Sequence, residues 1–404
     1  MSRGACEIAD VFRRYGAAFG AQYGRLLGPL HLLVLKALSM CRTAQLGGHV
    51  LECDACGHQK QAYNSCHNRH CPKCQASLRA QWFEDRQRDL LPVEYFHVVF
   101  TLPDELGPLA LQNKVVIYNL LFRAASETLL EAAAGWKGLK AQIGFFAILH
   151  TWGQKLDLHP HLHCVVPGGG ISLDGSRWVS CPRGFLMPVK LLSRMFRGKF
   201  LAIAKEAYRK GELTLAGRLQ PLTSDRAFRA WLGPLYDKEW VVYAKPPWKG
   251  PEQALKYLAR YTHRVAIGNS RLQSIDDGQV TFSYKDYRRE HRQRALTLSA
   301  MEFIRRFMMH VLPSGFVRIR YYGFLANTHR KERLRKIRSL LGAPQPATAG
   351  EETDDHDNDH DDDAALTSHD PRCPHCQEGL MRAIDIAPRP RLSEILELPL
   401  MVPT

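Results

Sequence analysis

The stretch CDACGHQKQAYNSCHNRHCPKC, Cys53 to Cys74, constrains the fold more than any other part of the chain. It carries two Cys-x2-Cys pairs, Cys53 with Cys56 and Cys71 with Cys74, one short loop apart. Each pair can offer two thiolates to one tetrahedral ion, and four such ligands make a closed, structural zinc site. The spacing therefore predicts one structural Zn²⁺ held by Cys53, Cys56, Cys71 and Cys74. Cys66, His70 and His58 are surplus to that set; each helps a second ion, replaces a ligand or simply packs. Of the 11 cysteines, the only other close group is Cys373-x2-Cys376, which is half a site. It needs two more ligands, from His369 or His375 or from distant cysteines such as Cys6 or Cys41, and a non-metal reading stays open. Grouped cysteines with no secretory leader point to a reducing cytoplasm, not to a disulfide framework.

Such a leader is not expected. The segment LHLLVLKALSM from Leu30 is short, carries a lysine and precedes no small-residue cleavage site. No uncharged apolar run approaches about 18 residues, so neither a membrane span nor a membrane partner is expected. The 404 residues allow two or three domains. Formal charge is +15, from 55 Lys and Arg against 40 Asp and Glu. Nine of those acids lie in EETDDHDNDHDDD, Glu351 to Asp363, so the rest sets 31 acids against 55 bases, a net +24. A body this basic suits a polyanion such as nucleic acid, although charge alone does not separate that from a generically basic soluble protein.

The periodicity predicts an α+β chain in five segments. Residues 1–45 are a helical segment. Residues 46–92 are a small zinc-binding, DNA-recognition module that closes on a basic amphipathic helix, Ala76 to Pro92. Residues 93–341 form the main domain, with strands at Tyr95–Leu102, Ile143–Trp152, His161–Pro167, Trp240–Pro247 and Gln279–Tyr287, and helices over roughly 108–134 and Pro251–Ala266. Residues 342–370 are an acidic, disordered linker, and 371–404 a tail with the Cys-x2-Cys knuckle. Strands and helices mix without regular βαβ spacing, which argues against a doubly wound sheet.

Two stretches carry chemistry. In DLHPHLHCVVPGGG, Asp157 to Gly170, side chains of a strand alternate faces, so His161 and His163 point the same way. Two imidazoles from one strand make a partial site for Mg²⁺, Mn²⁺ or a related ion, leaving positions for substrate oxygens and water. A lone His-x-His does not by itself exclude unliganded histidines on a strand. The three glycines predict a turn. In YLARY, Tyr257 and Tyr261 stand four apart on one helical face. Lys256, Arg260, His263 and Arg264 put positive charge on the same helix, where a nearby cation favours the phenolate. Core packing with a hydroxyl handle is the other reading of such a pair. Around the cysteines, Arg69, Lys73, Arg79 and Arg86 suit a DNA-binding zinc module.

Taken in order, SCHNRHCPKCQ, HTWGQKLDLHPHLHCVVPGGG, WVVYAKPP, YLARYTHRVAIGN, YKDY and GFVRIRYYGFLAN resemble the bacterial rolling-circle-type insertion-sequence transposases of the HUH superfamily, two-tyrosine branch, over most of residues 45 to 335. The resemblance implies an HUH endonuclease core, an antiparallel ferredoxin- or RRM-like sheet flanked by helices. It implies that His161 and His163 hold the catalytic Mg²⁺ or Mn²⁺, and that Tyr257 and Tyr261 are nucleophiles forming a 5′-phosphotyrosine link. Gln154 and His159 compete as third ligand; Gln154 is preferred because Pro160 disturbs the strand at His159. Implied DNA contacts are Arg69, Lys73, Lys256, Arg260 and Arg264. The implied partner is single-stranded DNA at element ends and target, with no nucleotide cofactor, in the bacterial cytoplasm at the nucleoid. Two alternatives remain. A plasmid replication initiator or relaxase shares this chemistry; its usual clue is an attached helicase or primase-like region, whereas this chain has no GxxxxGK[ST] loop and its zinc module fits transposases better. A non-enzymatic zinc DNA-binding regulator would use the histidines and tyrosines structurally.

Overall fold

The protein is described from a computed structural model that covers residues 6–245, 253, 266–286, 292–345 and 372–400. Strands in chain order are β1 (Gly48–Cys53), β2 (Gln59–Tyr63), β3 (Tyr95–Thr101), β4 (Ala141–Gln142), β5 (Gly144–Trp152), β6 (Leu158–Pro167) and β7 (Gly169–Ser172). They continue as β8 (Trp178–Ser180), β9 (Val242–Lys245), β10 (Leu272–Asp276), β11 (Gln279–Asp286), β12 (Arg292–Ser299), β13 (Ile319–Gly323) and β14 (Met381–Ala387). With helices interspersed and antiparallel strand pairing throughout the described sheets, the chain is α+β.

Packing does not follow the five consecutive segments that the sequence suggested. It divides the chain into two units. One gathers the described residues of 1–76, 267–311 and 349–404; the other holds the described residues of 77–266 and 312–348. The main domain is thus interrupted, and the C-terminal tail is part of the unit that begins the chain. Most of the 342–370 linker lies outside the described residues.

The larger unit is built on a five-stranded sheet in the order β13-β5-β6-β3-β9. β3 (YFHVVFT) and β5 (GFFAILHTW) are almost continuously buried, which is why they read as apolar runs instead of alternating ones. One face, with Phe96, Val98, Phe100, Phe145, Ala147, Leu149, Leu162, Cys164 and Val166, packs on helices Lys114–Gly135 and Val189–Arg209 as the main core. On the other face, Phe146, Ile148 and Val165 pack with Leu334 and Ile337 of helix Arg330–Leu340. His97, His150, His161 and His163 share this second face. Directly paired residues of antiparallel strands point the same way, and the register sets His150 opposite His161 and His97 opposite Val165, two residues beyond His163.

Two local expectations are corrected. Pro160 does not hold back the strand, which begins at Leu158 and runs through it. The register slips between His150↔His161 and Trp152↔Leu158, so β6 carries one extra residue around His159 and Pro160. That is a bulge, where a missing N–H is tolerated. The glycines after Pro167 do not form a free turn either: Gly169 and Gly170 begin β7. A Cβ on Gly169 would stand 2.6 Å from the Trp178 ring, and one on Gly170 2.6 Å from the Gln142 carbonyl. They are glycines because neighbouring strands approach too closely for a side chain.

The other unit joins helices Ile8–Tyr23, Pro29–Met40 and Ala300–Met309 with sheets β14-β1-β2 and β10-β11-β12. Phe12 meets Phe307 edge to face at 5.1 Å, and the Ile8 amide donates to Asn269 Oδ1 at 3.1 Å. Helix Ile8–Tyr23 is thereby fastened to Asn269, 261 positions after Ile8, and to Phe307.

Candidate metal centres

The four cysteines that spacing assigned to one ion do not come together. Cys71 and Cys74 gather with Cys41 and Cys66; Cys53 and Cys56 gather with Cys373 and Cys376. The single tetrathiolate expected from spacing is therefore replaced by two groups. The reason is topological. β1 ends at Cys53 and turns straight back into β2, carrying its knuckle away from Cys71. Cys41 instead caps helix Pro29–Met40, and Cys74 opens helix Cys74–Gln87, so two helix ends meet with Cys66 and Cys71 between them.

In the buried group, Sγ of Cys41 lies 3.7 Å from Cys74 and 3.6 Å from Cys71, and Cys66 Sγ lies 3.5 Å from Cys74. A disulfide would need about 2.05 Å. Four sulfurs each about 2.3 Å from a tetrahedral Zn²⁺ stand about 3.8 Å apart, which fits. Within this tightly coupled group the mutual hydrogen bonds hold the Cys74 thiol far below its ordinary range and push those of Cys66 and Cys71 above it, so the sulfur spacing carries the assignment. Nearby, His70 is buried with Nδ1 3.0 Å from Asn68 Oδ1. Of the basic residues assigned to DNA, Lys73 Nζ pairs with Glu7 at 2.7 Å and Arg69 is half-buried.

The second centre is made of imidazoles. His150, His161 and His163 place one ring nitrogen each within 4.8 Å of one another. His161 Nε2 lies 3.0 Å from His163 Nε2. His161 Nδ1, 2.6 Å from the His159 carbonyl, must be the donor there, because a carbonyl oxygen only accepts. Neutral His161 therefore turns a lone pair on Nε2 toward His163. His163 Nδ1 lies 2.6 Å from His97 Nε2, buried. If His163 donates from Nδ1 to His97, its Nε2 is also a lone pair, and two lone pairs face each other across 3.0 Å. A cation relieves that opposition. Two nitrogens at right angles around an ion and each about 2.1 Å from it would be about 3.0 Å apart.

Burial keeps the rings of His97, His161 and His163 neutral. It lowers His161 to about 4, with His159 adding to it, and lowers His97 to about 3, helped by Lys245 on the same sheet face. His163 is pushed well below the ordinary histidine range by burial and by His150, His161 and His97. Neutral imidazole is the ligating form. The group contains no carboxylate among the described residues. A divalent ion there would keep its full charge, which suits binding a phosphate.

The structure thus brings together His161 and His163 as expected and adds His150, which the sequence had shown only as part of a longer motif. A signal was present: a hairpin joining two consecutive strands sets His150 opposite His161 once its turn is located. His159 falls outside the group. The bulge takes it out of phase, and its ring faces Asp104 with Nδ1 3.5 Å from the carboxylate. Gln154 lies in the turn between β5 and β6. Tyr257 and Tyr261, with Lys256, Arg260 and Arg264, lie outside the described residues.

Residues 144–333 match the family described as "Putative transposase", and residues 11–102 the one described as "Transposase zinc-binding domain". "Putative transposase y4qJ" of Sinorhizobium fredii (strain NBRC 101917 / NGR234) is 53% identical over 387 residues, 96% of each chain. "Transposase for insertion sequence element IS801" of Pseudomonas savastanoi pv. phaseolicola is 30% identical over 329 residues, 78% of this chain and 74% of that one. No solved structure matches the chain.

Proposed function

The chain belongs to the insertion-sequence transposases of the rolling-circle IS801 type, and we propose that it nicks and joins single-stranded DNA at element ends through a 5′-phosphotyrosine link. The observation that carries this reading is the convergence of His150, His161 and His163 on one sheet face. The group offers three nitrogens and no carboxylate among the described residues, in a chain whose body is strongly basic.

His150, His161 and His163 would hold Mg²⁺ or Mn²⁺, which when bound polarises the scissile phosphate. With an ion bound to its Nε2, His163 would donate from Nδ1 to His97 Nε2, which would hold the ring in that orientation. The phenolate of Tyr257 or Tyr261 attacks phosphorus; the bond to the 3′ oxygen breaks and that oxygen takes up a proton. The tyrosine ester conserves the phosphodiester energy, so rejoining needs no nucleotide cofactor. The second tyrosine serves a second cleavage or the strand transfer. Lys256, Arg260 and Arg264, on the segment carrying the tyrosines, would neutralise the DNA backbone. The core is read as an HUH nuclease sheet, and the buried thiolate group as the structural zinc of the DNA-recognising module, with Arg69 beside it. Lys73, already paired with Glu7, is the weaker DNA contact of the two.

The test is an oligonucleotide carrying an element end, incubated with the protein and Mg²⁺ or Mn²⁺. A covalent protein–DNA species should form. Replacing both nucleophiles, Tyr257→Phe with Tyr261→Phe, should abolish it while binding persists. A covalent species that survives in the double variant would move the nucleophile elsewhere. DNA binding without any cleavage on any end would favour a regulator.

A further inference from the structure

We propose that Cys53, Cys56, Cys373 and Cys376 form a second structural zinc site, its ligands drawn equally from the two ends of the chain, that fastens the C-terminal segment to the N-terminal module. The matched zinc-binding domain spans residues 11–102 and so contains only half of this ligand set.

The sulfurs are spaced for an ion. Cys53 Sγ lies 3.7 Å from Cys376 Sγ, and Cys56 Sγ lies 3.7 Å from Cys373 Sγ. All four lie within 4.8 Å of one another. These separations are the edges of a sulfur tetrahedron around an ion about 2.3 Å from each vertex, and far longer than a disulfide.

The two knuckles are also structural twins. The Ala55 amide donates to Cys53 Sγ at 3.4 Å, and the His375 amide to Cys373 Sγ at 3.4 Å. The Gly57 amide returns to the Cys53 carbonyl at 3.1 Å, and the Gln377 amide to the Cys373 carbonyl at 2.9 Å. Gly57 and Gln377 both sit in the left-handed region, at φ 67° and 61°. Gln377 takes a conformation that disfavours side chains, which implies that its surroundings impose it. Each loop thus aims two sulfurs and donates amides to them, as thiolates require. The rings of His58 and His375 stack at 5.3 Å between the twins.

The halves are fitted to each other before any metal is considered. β14 pairs antiparallel with β1, from Gly48↔Ala387 to Cys53↔Met381. The Asp54 carboxylate accepts from the Leu380 amide at 2.8 Å and from Arg382 at 3.2 Å. Gly379 passes so close that a Cβ there would stand 2.5 Å from Cys53 Sγ. Yet this junction has almost no core. β14 is exposed at every residue after Met381, and the apolar cluster consists of Cys53, Cys373 and Met381 with Leu51 and Cys376 against it. A strand with so little buried apolar surface is poorly held by packing, and metal binding supplies folding free energy where a core cannot. The ion would also close a loop from Cys56 to Cys373, ligands 317 positions apart.

The proposal is independent of the DNA chemistry. Elemental analysis of the full-length protein should give two zinc per chain, and Cys373→Ser with Cys376→Ser should leave one. Because that variant could misfold, native thiol alkylation with peptide mapping is run on the unaltered protein. Cys53, Cys56, Cys373 and Cys376 should be protected as a set, and become reactive as a set when a chelator removes the metal. The proposal is overturned if Cys373 and Cys376 react freely while Cys53 and Cys56 stay protected. It is equally overturned by one zinc per unaltered chain, by two zinc in the folded double variant, or by iron at the site.

Discussion

The cysteine groups and the histidine group solve opposite problems. Each cysteine group offers four sulfurs and therefore a complete tetrahedron, which leaves no position for a substrate. The histidine group offers three nitrogens on one sheet face, one short of a closed tetrahedron, and an ion held there would keep positions for phosphate oxygens. The Cys53 group stands where the core is thin, whereas the histidine group draws on a core that already exists. His161 and His163 stand on a strand whose reverse face is packed with Leu162, Cys164 and Val166, so their positions do not depend on the ion. Losing a thiolate should therefore cost structure, and losing an imidazole should cost chemistry.

That contrast can be broken most forcefully at His161 and His163. Replacing both with Ala should slow DNA cleavage on the order of a thousand-fold, since metal charge stabilisation is worth several kcal/mol and about 1.4 kcal/mol is tenfold. The melting temperature should barely move. A large loss of stability would show that the histidines are structural. Cys41→Ser or Cys71→Ser should behave in the opposite way. Zinc content should fall by one per chain and residues 1–76 should become protease-sensitive; unchanged metal content would sink the tetrathiolate assignment.

Smaller effects sharpen the division of labour within the histidine group. His150→Ala should weaken Mn²⁺ binding, measured by calorimetry, more than His97→Ala, which removes only the group that orients His163. The His97 effect should be about ten- to a hundredfold. If Gln154→Ala costs more than His150→Ala, the third ligand is Gln154 and the geometric grouping misleads.

The mildest effect is on pH. Burial holds His97 at about 3 and His161 at about 4, below the ordinary 6.5, so the folded metal-free protein refuses protons that the unfolded chain accepts. Stability contributed by these rings is complete above pH 6.5 and is lost as pH falls toward 4 and then 3. His97→Gln should flatten that acid limb in denaturant titrations, and an unchanged slope would contradict burial of His97 as its cause.

How much of this could be read from the residues depends on how far apart the partners lie. His161 and His163 are two apart on one strand, and strand alternation suffices to pair them. His150 requires the hairpin register, and His159 requires knowing that β6 bulges at Pro160, which no periodicity reveals. The Cys-x2-Cys pairs announce metal, but spacing cannot say which pairs share an ion. Cys53 prefers Cys373 over the nearer Cys71 because β1 pairs with β14, a contact between the two ends of the sequence. The α+β class was legible because buried strands such as Tyr95–Thr101 are rich in β-branched and aromatic residues. The interleaving of units was not, since nothing local marks residues 267–311 as belonging with the first helices.

The central claim is that this transposase acts through a tyrosine ester that depends on the histidine group. The direct measurement is mass spectrometry of the covalent protein–DNA species formed on a single-stranded element end. The expected product is a 5′-phosphodeoxynucleotide on Tyr257 or Tyr261, formed only with a divalent cation and lost in His161→Ala with His163→Ala. Attachment to any other residue, or undiminished attachment without the cation or the histidines, would contradict it.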